Sequence, residues 1–305
     1  MAISYQDVIS ENRKKTKIVL FIYLVIYASL GFLLDIVLLN EGGFIESLKK
    51  LYTFEAMPIA TISLFAFGII SIIISIKMFS RIQLSGEKNI EITEDTKEFK
   101  DIFNIVEELK IAAGMKYMPK IYLIEADYMN AFASGWSEDN TLVAVTRGLY
   151  NKLSRAELTA VMAHEMTHIR NEDIKLTLII GVVTNLMLFV VDWLAFFMLR
   201  NNNSEGAKKA RMILLVLHFV LPILTIVLQM WLSRSREYMA DAGAVELSRD
   251  PNAMANALRK ISEDYEESNE EDSNTTRKAA YIFVKGDSFF STHPSIKNRI
   301  KKLGF

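Results

Sequence analysis

Residues 154–170 read S-R-A-E-L-T-A-V-M-A-H-E-M-T-H-I-R and predict one helix that carries a metal site. Ser154 and Glu157 match the capping box S-x-x-E directly before an apolar run, which predicts that the helix begins here. His164 and His168 lie four residues apart, one turn above each other, so both imidazoles can bind the same ion. We interpret the H-E-x-x-H pattern as a candidate zinc site with one Zn²⁺ per chain.

The rest of this site has to come from elsewhere in the chain. Glu165 lies beside the first histidine, where its carboxylate can polarise a water molecule. A catalytic zinc site needs a third protein ligand, but the positions where metzincins have Gly and His are Asn171 and Ile174. Glu237 in the segment S-R-S-R-E-Y-M-A-D (233–241) is the better candidate, and Asp241 is placed to orient a ligating histidine. Taken alone, these two acidic residues would fit an ordinary salt-bridged helix; the H-E-x-x-H motif favours the metal site.

Composition limits the alternatives. The 305 residues are 51% hydrophobic with a mean hydropathy of +0.20, which indicates that apolar and polar blocks alternate. Lys+Arg (35) and Asp+Glu (36) balance, so we expect no nucleic-acid partner. The absence of cysteine excludes disulfides, thiol nucleophiles and iron–sulfur clusters. Any metal must therefore be held by histidine and carboxylate.

The apolar blocks predict an integral membrane protein with the lipid bilayer as a partner. Four transmembrane helices are expected, at 18–39, 58–76, 174–199 and 212–233. At 1.5 Å per residue the first reaches roughly 33 Å, the thickness of a hydrocarbon core. Two crossings, or none, between His168 and Glu237 return the chain to the same side. A hairpin that only dips into the bilayer remains an alternative for the last two segments.

The polar blocks predict one α+β domain in two parts. Residues 1–17 form an N-terminal tail, and 77–173 and 234–305 form the domain. Helices are expected at 99–114, 251–261 and 294–303, strands at 120–125 and 141–146, and an acidic flexible loop at 263–275. Basic residues near the span ends are more numerous on the side that holds the N-terminus, which places the polar domain in the cytoplasm.

Four motifs together make the chain similar to the HtpX-type membrane zinc metalloproteases, which are related to the type I CAAX prenyl proteases. They are H-E-M-T-H-I-R-N-E-D (164–173), S-R-S-R-E-Y-M-A-D (233–241), N-A-F-A-S-G (130–135) and H-P-S-I-K-N-R (293–299). The resemblance implies a predominantly α-helical membrane protein with a zincin-like domain and a small sheet. It also implies a plasma-membrane endopeptidase of a prokaryote that acts on unfolded or membrane-protein polypeptides in quality control and stress response.

The resemblance also assigns residues. It implies His164, His168 and Glu237 on zinc and Glu165 as general base. It implies that His293 contacts the reacting carbonyl or its oxyanion and that Arg299 buttresses it, whereas the sequence alone favours a structural His293 before a helix that starts with proline. The implied edge strand would pair with an extended substrate, and its substrate-binding residues are Asn130, Ala131, Phe132, Ala133 and Ser134.

Three other functions compete with this interpretation. An intramembrane protease would carry its motif inside an apolar span, but Arg170, Glu172 and Asp173 follow the motif directly. A metal-binding but inactive quality-control adaptor is an alternative in which Glu165 would be disabled. An ion or metal transporter would use polar residues within the spans, which are Asp35, Asp192, His218 and Gln229. The sequence leaves the natural substrates and the oligomeric state open.

Overall fold

The computed structural model describes most of the chain at the level of individual residues. The described residues are 5–39, 44–83, 88–137, 139–174, 188–193, 196, 212, 215–216, 218–220, 222–223, 236–271 and 294–305. Contacts divide the chain into two compact units. The first unit contains 1–13, 79–175 and 228–305, and the second contains 14–78 and 176–227.

The described residues form mostly helices with one small sheet. The helices are α1 (Tyr5–Leu39), α2 (Phe44–Tyr52), α3 (Ile59–Gln83), α4 (Lys100–Ala112), α5 (Arg147–Lys152), α6 (Arg155–Arg170), α7 (described over 236–248), α8 (Pro251–Glu271) and α9 (Ile296–Lys302). The strands are β1 (Asn89–Ile92), β2 (Lys120–Ile124), β3 (Ala131–Ser137) and β4 (Asn140–Thr146). Strands β2 and β4 and helices α4, α6 and α9 lie close to their expected positions, whereas β1 was not predicted.

The sheet has the strand order β1-β2-β4-β3, so β3 lies at one edge. The β2–β4 pair is parallel, and β4 pairs with β3 in antiparallel register with Ala133 opposite Val143. The implied edge strand is therefore present. It begins at Ala131, and Asn130 directly precedes it.

Helix α6 begins as the capping box predicts. The hydroxyl of Ser154 accepts a hydrogen bond from the amide of Glu157, and the Glu157 carboxylate accepts one from the Ser154 amide at 2.8 Å. Leu158, Val161 and Met162 are buried, and the helix packs against α4, α8 and β3. The start of α6 therefore fixes the depth at which the histidines lie in the first unit.

The structure adds detail to one sequence expectation and corrects another. The tail at 1–17 is helical from Tyr5 onward and continuous with the first apolar segment in α1. The loop predicted at 263–275 is wrong as far as Glu271, since α8 continues ten residues beyond the predicted end at 261. The sequence did not predict this extension because Asp264 lies on the buried side of α8, at a position where the helical pattern calls for an apolar residue.

One helix is long and apolar enough to cross a membrane, over Ile9–Ile36, and Ile59–Ile74 is a shorter apolar stretch. This count covers the described residues alone. The predicted segments 174–199 and 212–233 lie largely outside them. The outward side of α3 is strongly apolar, with Ile62, Phe65 and Ile70 each at least 40% exposed, as expected for a surface that faces lipid.

Polar residues of the predicted spans have structural partners. The Asp35 carboxylate accepts hydrogen bonds from the amides of Ala60 and Thr61, both at 2.8 Å, and therefore caps the first turn of α3. Nδ1 of His218 lies 2.6 Å from the Asp192 carboxylate, and this pair joins the third and fourth apolar segments. Three of the four residues weighed for a transporter thus serve helix contacts; Gln229 lies outside the described residues.

Candidate metal centre

The structure brings His164, His168 and Glu237 together inside the first unit. The Nε2 atoms of the two histidines are 3.1 Å apart. The Glu237 carboxylate lies 3.6 Å from Nε2 of His164 and 3.9 Å from Nε2 of His168. All three ligand atoms fall within 4.8 Å of one another, and His164 and Glu237 are buried. These residues come from α6 and α7, which are separated by the two predicted spans.

This arrangement fits zinc. Zn–N and Zn–O distances of about 2.0–2.2 Å place tetrahedral ligand atoms roughly 3.3–3.6 Å apart, close to the three distances observed. Two imidazoles and one carboxylate form the donor set of many catalytic zinc sites, which leave one position for water or substrate. The three side chains can therefore hold Zn²⁺ and keep one coordination position open.

Asp241 and Arg299 form a buried ion pair behind His164. The guanidinium donates two hydrogen bonds to the Asp241 carboxylate, at 2.8 and 2.6 Å. Burial alone would raise the pKa of Asp241, but the charge and hydrogen bonds of Arg299, with those of His164, hold that pKa below its usual value. The ionised carboxylate lies 3.1 Å from Nδ1 of His164, so it can fix the imidazole with Nε2 toward the metal.

Asp173 orients the imidazole of His168 as Asp241 orients that of His164, a role that the sequence analysis did not assign to it. Its Oδ1 lies 2.9 Å from Nδ1 of His168. Burial alone would lower the pKa of His168, but the carboxylates of Asp173, Glu237 and Glu165 raise it to about 10. The negative charge that raises this pKa is the charge that a divalent cation would neutralise.

Glu165 lies between the metal-binding side chains and the edge strand. It is buried, and within the described part of the chain its Oε1 has no hydrogen-bond partner. Burial raises the pKa of Glu165, while the nearby histidines and a backbone hydrogen bond from Ala133 act in the opposite direction. A carboxylate with a raised pKa and an available oxygen is suited to accept a proton from a reacting water.

The predicted substrate-binding residues lie on or beside β3. Asn130 is anchored to the sheet because its amide donates to the Thr146 hydroxyl at 2.9 Å, and the Thr146 amide donates to its carbonyl. Ala131 and Ser134 are buried, whereas Phe132 and Ala133 are partly exposed. Among the strands that the structure describes, β4 pairs with one side of β3 and none pairs with the other side.

Asp264 supports this strand from α8, although the sequence placed it in a solvated loop. The buried carboxylate accepts a hydrogen bond from the amide of Met129 at 2.9 Å and forms an ion pair with Lys152. The helical period that continues from Ala257 through Ile261 to Asp264 could have revealed it. The entry to β3 is therefore fixed by a side chain 135 residues later in the chain.

The two site residues predicted near the C-terminus are His293 and Arg299, and the structure describes only the second. His293 lies outside the described residues. Arg299 is almost completely buried, and besides Asp241 it lies 3.6 Å from the Glu237 carboxylate. Its described contacts thus place it against the metal-binding carboxylate and the Asp241 behind His164, and its implied contact with His293 is not described.

Comparison with known proteins agrees with this geometry. Residues 96–304 match the family model described as Peptidase family M48. The chain is 45% identical over 306 residues to a "Protease HtpX homolog" of Helicobacter acinonychis, with 98% of each chain covered. It is 36% identical over 259 residues to a protein of the same name from Dictyoglomus thermophilum, covering 80% of this chain and 84% of that one.

The fold also resembles a solved structure. The crystal structure of S. mikatae Ste24p aligns with a TM-score of 0.53 and 19% sequence identity. The alignment covers 84% of this chain and 61% of that chain, so this chain spans about three fifths of its length. At this identity the likeness concerns the fold alone.

Proposed function

Since the chain belongs to peptidase family M48 and is a membrane metalloprotease, we propose that it is a zinc-dependent endopeptidase that cleaves unfolded or damaged membrane proteins in quality control. The family membership confirms the resemblance indicated by the four motifs. The observation that carries the proposal is the convergence of His164, His168 and Glu237, with Glu165 beside them and β3 at the sheet edge.

Zinc, when bound, supplies a Lewis acid that activates water and stabilises negative charge on a substrate oxygen. His164, His168 and Glu237 hold it, and Asp241 and Asp173 keep the imidazoles oriented. Glu165 accepts the proton of the attacking water at its carboxylate and later delivers it to the leaving amine. His293, by resemblance, donates to the substrate carbonyl oxygen.

The edge strand determines the substrate class. An extended peptide would add to the open side of β3 near Ala131–Ser134 and gain backbone hydrogen bonds that do not depend on its sequence. A folded segment cannot offer an unpaired strand. The site therefore favours unfolded or protruding polypeptide, which suits a protease that removes damaged proteins.

We also propose four membrane spans with the active site on the cytoplasmic side of a prokaryotic plasma membrane. Support comes from the apolar stretch over Ile9–Ile36, the exposed apolar side of α3 and the excess of basic residues on the N-terminal side. An even number of crossings between α6 and α7 is required for their side chains to meet as they do.

The test uses the full-length chain in detergent, purified under chelation to prevent self-cleavage and then reloaded with Zn²⁺. Glu165→Gln should bind one zinc per chain, because the ligands are intact, and should lose cleavage of casein by at least about 100-fold, because the general base is absent. Glu107→Gln, which removes an exposed carboxylate of α4, is the matched control and should cleave normally. Cleavage by Glu165→Gln at the wild-type rate would refute the mechanism; a wild-type chain that binds no zinc would refute the site.

A further inference from the structure

The turn that ends α6 has an unusual residue at its critical position. The amide of Glu172 donates to the carbonyl of Ile169 at 3.1 Å, and that of Asp173 donates to the carbonyl of His168 at 3.4 Å. This is the Schellman pattern, in which the residue after the helix cap adopts a left-handed backbone and is usually glycine. Here Glu172 occupies it with φ 56°. A side chain is unfavourable there, so other contacts must hold the turn.

The turn matters because it presents Asp173 to His168. Asp173 is buried, and its only described side-chain hydrogen bond is the one to Nδ1 of His168. That contact leaves Nε2 of the imidazole for the metal. A change in the backbone at Glu172 would move the Asp173 carboxylate and rotate the ring.

Each residue of the turn is held by a distant side chain. Nδ2 of Asn12, which is buried, donates to the carbonyl of Asn171 at 3.0 Å. The guanidinium of Arg13 binds both carboxylate oxygens of Glu172, with Nε–Oε2 at 2.9 Å. Arg236, the neighbour of Glu237, donates to the carbonyl of Asp173 at 2.9 Å; the three contacts together hold residues 171–173, which we call the clamped turn.

We propose that Asn12 and Arg13, at the N-terminal end of α1, are positioning residues for the metal centre. They hold the clamped turn in its left-handed conformation, and the turn holds Asp173 against His168. The proposal rests on the proposed metal site. It extends that site to a part of the chain 159 residues away, ahead of the span predicted at 18–39.

The test measures zinc affinity in full-length protein that also carries Glu165→Gln, so that no self-cleavage interferes. The apparent dissociation constant for Zn²⁺ is determined by competition with a chromophoric chelator, and visible absorption of the Co²⁺ form reports ligand geometry. Asn12→Ala and Arg13→Ala should each weaken zinc binding about threefold to tenfold, less than the roughly 10–100-fold expected for Asp173→Asn. Lys14→Ala removes an exposed positive charge one position later and should bind zinc like the parent.

A second variant separates positioning from general destabilisation. Glycine adopts the left-handed conformation without a partner, so adding Glu172→Gly to Arg13→Ala should restore zinc affinity to within about twofold of the parent and restore the Co²⁺ spectrum. The matched control is Arg13→Ala with Glu172→Ala, which removes the same carboxylate but keeps a side chain at the left-handed position; if relief of an unpaired charge were the cause, this variant would recover zinc affinity equally well.

The outcomes are distinguishable. Parent-like zinc binding by both Asn12→Ala and Arg13→Ala, with weak binding by Asp173→Asn, would overturn the role of α1 and leave the metal site intact. Failure of Glu172→Gly to restore Arg13→Ala would also overturn it. Zinc binding that is unaffected by His164→Ala would overturn the metal site, and this proposal with it.

Discussion

At the scale of single residues, Arg299 shows how much of the site depends on side chains that do not touch the metal. It is 1% exposed and forms two parallel hydrogen bonds with Asp241. Its positive charge keeps Asp241 ionised, and Asp241 orients His164. The motif around 293–299 pointed to this residue, whose role in the site stays a prediction, and its contact with Asp241 could not be read from the sequence.

Replacing Arg299 by lysine should therefore disrupt the centre although the charge is conserved. An ammonium group cannot make the two parallel hydrogen bonds, so one buried oxygen of Asp241 loses its donor. We expect Arg299→Lys to weaken zinc binding about 10–100-fold and to lower cleavage in parallel. Arg259→Lys, on the exposed side of α8, is the control. Zinc affinity like that of the wild type in Arg299→Lys would contradict this assignment.

At the scale of elements, the contact between α6 and α7 determines whether Glu237 reaches the histidines. Gly243 of α7 lies against Thr167 of α6, and an added Cβ there would lie 2.4 Å from Cγ2 and 2.7 Å from Oγ1 of Thr167. Both contacts are too short for a carbon atom, so a side chain at this position would force Thr167 or one of the helices to move. Gly243 therefore permits the close approach, and Thr167 directly precedes the ligand His168.

Gly243→Ala should separate the two helices. Overpacking of this kind costs about 1–3 kcal/mol, and the shift would also move Glu237 away from the imidazoles. We expect a lower melting temperature and weaker zinc binding, both measured on the full-length chain in detergent. Thr167→Ala removes both clashing atoms, so the double variant should recover much of both losses. If the second change gives no recovery, the effect of Gly243→Ala arises elsewhere.

The capping box of α6 predicts a pH dependence of stability. Burial alone would raise the pKa of Glu157, but hydrogen bonds from Lys260 and Ser154 lower it below 4.5. A carboxyl with a lowered pKa in the folded state stabilises the fold above pH 4.5, and this contribution is lost as the pH falls through the lowered value.

Glu157→Gln tests this directly. Since half-exposed Lys260 is screened by solvent, the carboxylate should contribute about 1 kcal/mol or less, so the variant should melt roughly 2–4 °C below the wild type at pH 7. The difference should shrink as the pH falls below 4.5. Glu107→Gln should show no such difference at either pH. A difference in melting temperature that does not change with pH would show that Glu157→Gln destabilises the protein for a reason other than the lost charge.

The sequence predicted elements better than their contacts, for physical reasons. Helix α6 could be predicted because its cap, its period and its motif all lie within one segment. The third ligand could be inferred because Glu237 is the first carboxylate after the predicted spans. The clamped turn and Asp264 escaped prediction because their contacts cross 159 and 135 residues, and a hydrogen bond between distant side chains leaves no periodic signal.

At the scale of the whole molecule, the chain between α6 and α7 either crosses the bilayer twice or only dips into it. The distance between Glu237 and the histidines requires an even number of crossings, which includes zero. Four basic residues lie between the last two apolar segments, where the positive-inside tendency disfavours an external loop: Arg200, Lys208, Lys209 and Arg211. Charge alone thus favours a shallow hairpin, while the length of both segments favours full spans.

The absence of cysteine allows this to be tested with single-cysteine variants and no background labelling. In intact cells that express the Glu165→Gln chain, a membrane-impermeant maleimide should label Lys49→Cys and Lys209→Cys. Lys14→Cys and Lys120→Cys should react only after permeabilisation, because four spans place both on the cytoplasmic side. If Lys209→Cys reacts only after permeabilisation, the last two apolar segments form a hairpin that does not cross the bilayer, and the metal centre is still cytoplasmic. If Lys120→Cys is labelled in intact cells, the protease domain lies outside the membrane, opposite to the proposed orientation.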